Sequence, residues 1–226
     1  MTYAENKQVL SAAALLAVIS IAFMALVVIS PVNHFENSHI IRVACVGNSI
    51  TEGTEYPKDL QALLGANYLV VNCGAGGTTA LFTSDKPYVN SLAFRIALDL
   101  QPNVVLIMLG TNDANPKYYG NVSQFVTDYK VIISLFEVFH PKIWIMKPPP
   151  IFDDSLGPKS ENLVQGIMPR IDQIAHDLNL PTINIYPLLI DHPDYFWDGV
   201  HPDWQGAKII ADAVYQAAFA PNALSQ

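Results

Sequence analysis

Short apolar runs alternate with longer amphipathic runs along most of this chain. Five runs rich in valine and isoleucine and flanked by Gly, Pro or Asn predict buried β-strands at residues 41–46, 68–71, 104–109, 143–146 and 182–185. Apolar residues three and four positions apart predict amphipathic helices at residues 122–136, 163–178 and 204–218. This alternation predicts an α/β domain of three layers, α/β/α, in which helices cover both faces of a five-stranded parallel sheet.

A different pattern precedes this domain. Residues 9–32 carry no charged side chain, and a helix of that length would measure about 36 Å, enough to cross a hydrocarbon core of about 30 Å. We expect an N-terminal transmembrane signal anchor over residues 1–32, a connector over 33–39 and the α/β domain over 40–226.

A cleaved signal peptide is the alternative for the N-terminal segment, and it would give a secreted protein. The apolar run exceeds the usual h-region of about 7 to 15 residues, and no Ala-x-Ala cleavage site follows it. We therefore expect an uncleaved, single-pass anchor. Only Lys7 and Arg42 supply a charge bias around the segment, and it predicts that the domain lies outside the cytosol.

Composition and charge narrow the function classes. The chain is 51% hydrophobic and only 14% charged, and its net charge of −8 lies wholly after residue 32, because Glu5 and Lys7 cancel before it. An acidic domain without a Lys/Arg stripe argues against a nucleic-acid partner. Cys45 and Cys73 lie in strand-like runs, which favours buried thiols over a disulfide, and no Cys/His spacing predicts a metal site.

Three motifs follow predicted strand ends, where ligands bind in parallel sheets. In Gly-Asn-Ser at 47–49, Ser49 is either a nucleophile or a helix N-cap. The segment 72–79 contains three glycines, whose backbone N–H groups either approach an oxyanion or form an ordinary turn. Asn112, after the third strand, is either an amide donor or a turn former.

A fourth motif, Asp-Gly-Val-His at 198–201, precedes the last helix. An aspartate three residues before a histidine can fold back across the glycine and hold the imidazole in one tautomer, so Asp198 and His201 are candidates for acid–base chemistry. Among the other histidines, His192 is the competitor, since Pro193 and Asp194 follow it.

Together the four motifs resemble those of SGNH hydrolases, the GDSL-type esterases and lipases, over residues 40–219. The resemblance implies that Ser49 is the nucleophile and that Asp198 and His201 complete a catalytic triad. It further implies an oxyanion hole made of the N–H groups of Ser49 and Gly77 and the side-chain amide of Asn112.

The family position of the oxyanion glycine selects Gly77 rather than Gly74, since that glycine lies five residues after the strand-end Asn, here Asn72. Gly-Asn-Ser at 47–49 departs from the family's Gly-Asp-Ser. Because that aspartate is not a triad member, we expect activity to survive with Asn48 in its place.

This variant is similar to a branch containing sialate and other carbohydrate O-acetylesterases. The resemblance therefore implies a cofactor-independent serine esterase for short acyl esters, foremost acetyl esters of carbohydrates, and the negative charge favours neutral over strongly anionic esters. A lysophospholipase or other lipid acylhydrolase is the alternative, because an anchor would place the site near a membrane. A non-catalytic carbohydrate-binding protein is disfavoured by the complete set of site residues.

Aromatic residues flank two of these motifs. Tyr118, Tyr119, Phe196 and Trp197 are either a platform for stacking a sugar or packing at the rim of the site.

Overall fold

The computed structural model, which describes residues 40–220, contains one parallel sheet of five strands. These are β1 (Ile41–Gly47), β2 (Tyr68–Gly74), β3 (Val104–Met108), β4 (Lys142–Lys147) and β5 (Thr182–Asn184). They lie in the order β2-β1-β3-β4-β5, and every neighbouring pair is parallel. The predicted five-stranded parallel sheet is confirmed, and its order reverses direction between β1 and β3.

Helices cover both faces of the sheet. They are α1 (Ser49–Gly53), α2 (Tyr56–Leu64), α3 (Leu92–Asp99), α4 (Pro116–Tyr119), α5 (Val122–Glu137), α6 (Met168–Leu178), α7 (Tyr186–Leu189) and α8 (Trp204–Ala218). A helical turn, Ser160–Asn162, and a π-helical turn, Leu163–Ile167, lead directly into α6. The helices α3, α5 and α6 share one apolar core with the sheet, and α2 and α8 share the other. The predicted three-layer α/β/α architecture is therefore confirmed.

Burial differs between the middle and the edges of the sheet. Every residue of β3 is buried, as a strand covered on both faces requires. The expectation of five buried strands is wrong for β2 and β5, which are the edge strands. Each of them buries a single residue, Cys73 in β2 and Ile183 in β5, because an edge strand has only one neighbour and is less completely covered.

The three predicted helices are all present. Two of them, α5 and α8, have ends within one residue of those expected, whereas the α-helical part of the third, α6, begins at Met168 because residues 163–167 form the π-helical turn. The sequence pattern missed α2 and α3, which are nine and eight residues long. Both lie against the sheet beside longer helices, and so few turns give a weak periodic signal.

The two cysteines lie on neighbouring strands but belong to different cores. Cys73 pairs in register with Val46, the residue after Cys45, so the thiols point to opposite faces of the sheet. Both are free and buried, as predicted.

The expected membrane anchor, residues 1–32, and connector, residues 33–39, lie outside the described residues. Within residues 40–220, no helix has both the length and the apolar character needed to span a bilayer.

Candidate active site

The carboxyl ends of β1 and β3 meet where the strand order reverses, which is the usual ligand-binding position in such sheets. Ser49 is the first residue of α1, immediately beyond β1. The turn before it needs a glycine, because a Cβ on Gly47 would lie 2.1 Å from the Thr51 hydroxyl oxygen. The sequence thus places Ser49, half-buried, at the edge of the sheet.

Asn48 caps the helix that begins with Ser49. Its side-chain oxygen accepts a hydrogen bond from the Ile50 N–H at 3.0 Å, and the residue is buried. Its Nδ2 has no hydrogen-bond partner among the described residues. An aspartate would offer the same capping oxygen, so Asn48 preserves the turn without adding a charge beside Ser49.

Three side chains form one chain of hydrogen bonds across this edge. Ser49 Oγ lies 2.8 Å from His201 Nε2, and His201 Nδ1 lies 2.6 Å from Asp198 Oδ2. Ser49 is 152 positions from His201 in the sequence, so only the fold brings them together. This order of hydroxyl, imidazole and carboxylate is the one that activates a serine as a nucleophile.

The loop that carries the imidazole is a tight hairpin. Phe196 pairs antiparallel with Pro202, and the other oxygen of Asp198, Oδ1, accepts hydrogen bonds from the backbone N–H groups of Val200 (2.9 Å) and His201 (2.8 Å). Gly199 adopts φ +79° at the tip, a conformation that favours glycine. The aspartate therefore fixes the backbone and the imidazole of the same histidine.

Hydrogen bonding also sets the charge of this carboxylate. Partial burial raises the pKa of Asp198, but the bonds from the backbone and ring of His201 and from the Val200 N–H outweigh it. The pKa of Asp198 therefore lies below its ordinary value, and the carboxylate is ionised where the imidazole needs an anionic partner.

The loop after β4 supports the hairpin from behind. The N–H of Phe152 donates to the Gly199 carbonyl at 2.7 Å, and a Cβ on Gly199 would lie 2.6 Å from the Cβ of Asp153. The competing histidine, His192, has its ring stacked on Tyr195 at 4.6 Å between centroids, whereas the histidine that hydrogen-bonds Ser49 is His201.

The glycine-rich segment after β2 runs beside the serine. A Cβ on Gly76 would lie 3.8 Å from the Cβ of Ser49, and Gly77 follows at φ +72° with an exposed backbone. Gly74 has a different task, since its Cβ would lie 2.1 Å from the backbone nitrogen of Glu52. Gly74 thus allows α1 to pack on the strand end, whereas Gly77 has the positive φ that turns the loop.

Asn112, in the turn after β3, is tied to this same segment. Its side-chain Nδ2 donates a hydrogen bond to the Thr78 carbonyl at 2.9 Å. An amide has two such hydrogens, so the second remains for another acceptor. The bond holds the Asn112 amide next to the residue that follows Gly77.

Asp113, directly after Asn112, also belongs to this region, although no sequence motif predicted a role for it. Its two carboxylate oxygens accept the backbone N–H groups of Ala80 (3.1 Å) and Leu81 (3.0 Å), and the residue is fully buried. Burial raises the pKa of Asp113 to about 7, although both N–H groups oppose the rise. The only signal in the sequence is an aspartate directly after an apolar strand, which also occurs in ordinary turns.

Asn72 joins the same framework. Its amide donates to the Thr51 carbonyl at 2.8 Å, and its oxygen accepts the N–H of Gly74 at 2.9 Å. The helix that starts with Ser49 and the glycine-rich segment are thereby held together. Among residues 40–220, no cluster of three or more His, Cys, Asp or Glu side chains could hold a metal ion.

The chain is similar to known proteins in sequence and in fold. A sequence model described as GDSL-like Lipase/Acylhydrolase family matches residues 45–209. An acetylxylan esterase of Xylanibacter ruminicola is 33% identical over 205 residues, which cover 78% of this chain and 43% of that protein. The chain thus spans less than half the length of this relative.

Solved structures share the fold at lower identity. A lipase/acylhydrolase from Enterococcus faecalis superposes with a TM-score of 0.64 at 21% identity, covering 78% of this chain and 94% of the other. A carbohydrate acetylesterase family member from Sinorhizobium meliloti gives 0.61 at 19%, covering 79% and 97%. At these identities the likeness concerns the fold.

Proposed function

The chain belongs to the GDSL-like lipase/acylhydrolase family of ester hydrolases, and we propose that it is a serine esterase that cleaves short acyl esters, foremost acetyl esters of carbohydrates. The observation that carries this proposal is the hydrogen-bond chain from Ser49 through His201 to Asp198. In this proposal Ser49 is the nucleophile, His201 the general base and Asp198 the carboxylate that orients the imidazole.

In the acylation step, His201 Nε2 takes the proton from Ser49 Oγ as the oxygen attacks the ester carbonyl. The tetrahedral intermediate then collapses, the bond to the leaving alcohol breaks, and the alcohol oxygen receives the proton from His201. The acyl group remains on Ser49. Water, deprotonated by His201, then attacks the acyl-enzyme. The bond between the acyl carbon and Ser49 Oγ breaks, Oγ takes the proton back from His201, and the carboxylic acid is released. Asp198 keeps Nδ1 protonated throughout and stabilises the imidazolium.

The negative oxygen of each tetrahedral intermediate requires hydrogen-bond donors. We assign this role to the N–H groups of Ser49 and Gly77 and to the free hydrogen of the Asn112 amide. The bond from Asn112 to Thr78 supports the assignment, because it fixes the amide beside the glycine-rich segment before substrate arrives.

The acetylated carbohydrate is the substrate class favoured by the relative named an acetylxylan esterase, with 33% identity. The test is hydrolysis of p-nitrophenyl esters with acyl chains of two to twelve carbons by the wild-type protein and by Ser49→Ala. We expect activity greatest at two carbons and abolished by the substitution. Equal rates for the two proteins would refute the assignment of Ser49 as the nucleophile. A maximum rate at acyl chains of eight or more carbons would refute the acetylesterase and favour a lipid acylhydrolase.

We further propose that residues 1–32 anchor the domain to a membrane, outside the cytosol, because residues 9–32 are uncharged throughout. Mass spectrometry of the mature amino terminus decides between anchor and cleaved signal. Recovery of a chain that begins after residue 30 would contradict the anchor.

A further inference from the structure

Trp197 is the most exposed of the large hydrophobic side chains in the described part of the chain, at 71%. Single exposed apolar residues are common and need no explanation by themselves. The position of Trp197 is what gives it meaning, since it directly precedes the carboxylate partner of His201.

The backbone holds this indole opposite the imidazole. The Trp197 N–H donates to the His201 carbonyl at 3.3 Å across the hairpin, next to the pairing of Phe196 with Pro202. Phe196 points inward and packs edge-on against Phe152 at 5.0 Å. Trp197 therefore points outward from a fixed backbone, and its ring centroid lies 6.1 Å from that of His201 at an angle of 61°.

The mechanism of ester hydrolysis places one part of the substrate, the leaving alcohol, beside this imidazole. The proton that His201 takes from Ser49 is given to the leaving alcohol, so the alcohol oxygen must come within hydrogen-bond reach of Nε2. The acyl carbonyl oxygen points instead toward the donors at Gly77 and Asn112. An exposed side chain that borders the His201 ring is therefore within reach of the leaving alcohol.

From this geometry we propose that Trp197 forms the leaving-group subsite and that its indole stacks against the pyranose ring of an acetylated sugar. The inference rests on the proposed esterase function and specifies the alcohol half of its substrate. A pyranose has a face of C–H groups and a rim of hydroxyls. An indole can cover the C–H face and leave the hydroxyls at the rim hydrated. Because the indole is rigid, its side chain loses little conformational entropy when the sugar binds.

The test compares a ring-containing and a ring-free acetate, an O-acetylated methyl xyloside and ethyl acetate, with acetic acid release followed by pH-stat. A p-nitrophenyl ester is unsuitable because its own aromatic ring would stack on the indole. For Trp197→Ala we expect kcat/KM to fall about tenfold on the xyloside, mainly through KM, and to change less than twofold on ethyl acetate. Trp197→Phe retains an aromatic face and should recover most of the loss.

Trp204→Ala is the matched control, because Trp204 is 69% exposed and begins α8 three residues after His201. It should leave both esters unchanged. If Trp197→Ala lowered kcat/KM equally on both esters, the substitution would act through His201 and the subsite would be overturned. An unchanged kcat/KM on the xyloside would also overturn the subsite.

The wild-type protein separates this inference from the proposed function. Hydrolysis of ethyl acetate without hydrolysis of the xyloside would overturn the sugar subsite and the carbohydrate substrate class, and it would leave the serine esterase standing. Hydrolysis of neither ester would refute the esterase and the subsite together.

Discussion

The two halves of the candidate site are built in different ways. The proton-transfer half, Ser49 with Asp198 and His201, depends on a hairpin whose carboxylate and imidazole are three residues apart and partly exposed. The half that we propose binds the oxyanion, Gly77 with Asn112, depends on contacts between segments 32 to 34 positions apart and on the buried side chain of Asp113.

This difference separates two ways of fixing a catalytic group. In the proton-transfer half a single side chain, Asp198, makes three hydrogen bonds within one turn, two with His201 and one with Val200. In the oxyanion half the proposed donors are held by the sheet, because the sheet brings the turn after β3 against the loop after β2. We therefore expect changes in the first half to affect chemistry almost alone, and changes in the second half to affect chemistry and stability together.

The largest expected effect lies in the proton-transfer half. Asp198→Asn keeps the oxygen that accepts the Val200 and His201 N–H groups but turns an N–H toward Nδ1, which favours the wrong tautomer. We expect kcat on p-nitrophenyl acetate to fall about 10⁴-fold with little change in the urea midpoint. A loss below tenfold would show that the carboxylate is dispensable, and a large drop in midpoint would show that it is mainly structural.

Removal of an oxyanion donor comes next. Asn112→Ala should lower kcat by about 10²- to 10³-fold, because the donor acts on charge that develops in the transition state. The control is Asn162→Ala, which also loses an Nδ2 bond of 2.9 Å to a backbone carbonyl, that of Ala114. If both variants lose activity equally, Asn112 acts only as a structural tie and the oxyanion role is refuted.

The same contrast explains what could be predicted from the sequence. Asp198 and His201 are recognisable because they are three residues apart, and the five strands are recognisable because each is a continuous run of mostly apolar residues. The bond from Asn112 to Thr78 and the cradle of Asp113 depend on which loops the sheet brings together. The pattern of apolar and polar residues does not indicate which loops are neighbours.

The edge strands β2 and β5 are more exposed than predicted for a related reason. Burial of a strand depends on its place in the sheet, and the order β2-β1-β3-β4-β5 is a property of the whole fold. The residues of β2 are apolar enough for an interior strand, and yet Leu69 is 44% exposed.

The two carboxylates predict opposite responses of stability to pH. The pKa of Asp198 is lowered by folding, so its contribution is present above the unfolded pKa and is lost as pH falls through the folded value. The pKa of Asp113 is raised to about 7, so its contribution is fully present below its unfolded pKa near 3.8 and is lost as pH rises through about 7.

For Asp113 this shift corresponds to roughly 2–3 kcal/mol of unfolding free energy lost between pH 5 and pH 8. Urea unfolding at the two pH values, in the wild type and in Asp113→Asn, measures it. We expect the variant to be less stable at pH 5 because one N–H acceptor is replaced by a donor, and to show a flatter dependence on pH. An unchanged slope in the variant would assign the dependence to other groups.

The smallest effect is expected for Gly77→Ala, which tests whether the backbone conformation of Gly77 contributes to stabilising the oxyanion. A Cβ on Gly77 meets only the flexible end of Lys86, at 3.7 Å, so Gly77→Ala adds strain at φ +72° without a clash. Gly65, at the end of α2, has φ +74° with open space around it and lies outside the site, which makes Gly65→Ala the control. Each substitution should cost roughly 1–3 kcal/mol of stability. Only Gly77→Ala should also lower kcat, by about tenfold, because relief of the strain rotates the N–H that faces the developing charge. Equal kcat in the two variants would mean that the Gly77 N–H is not a donor in the transition state.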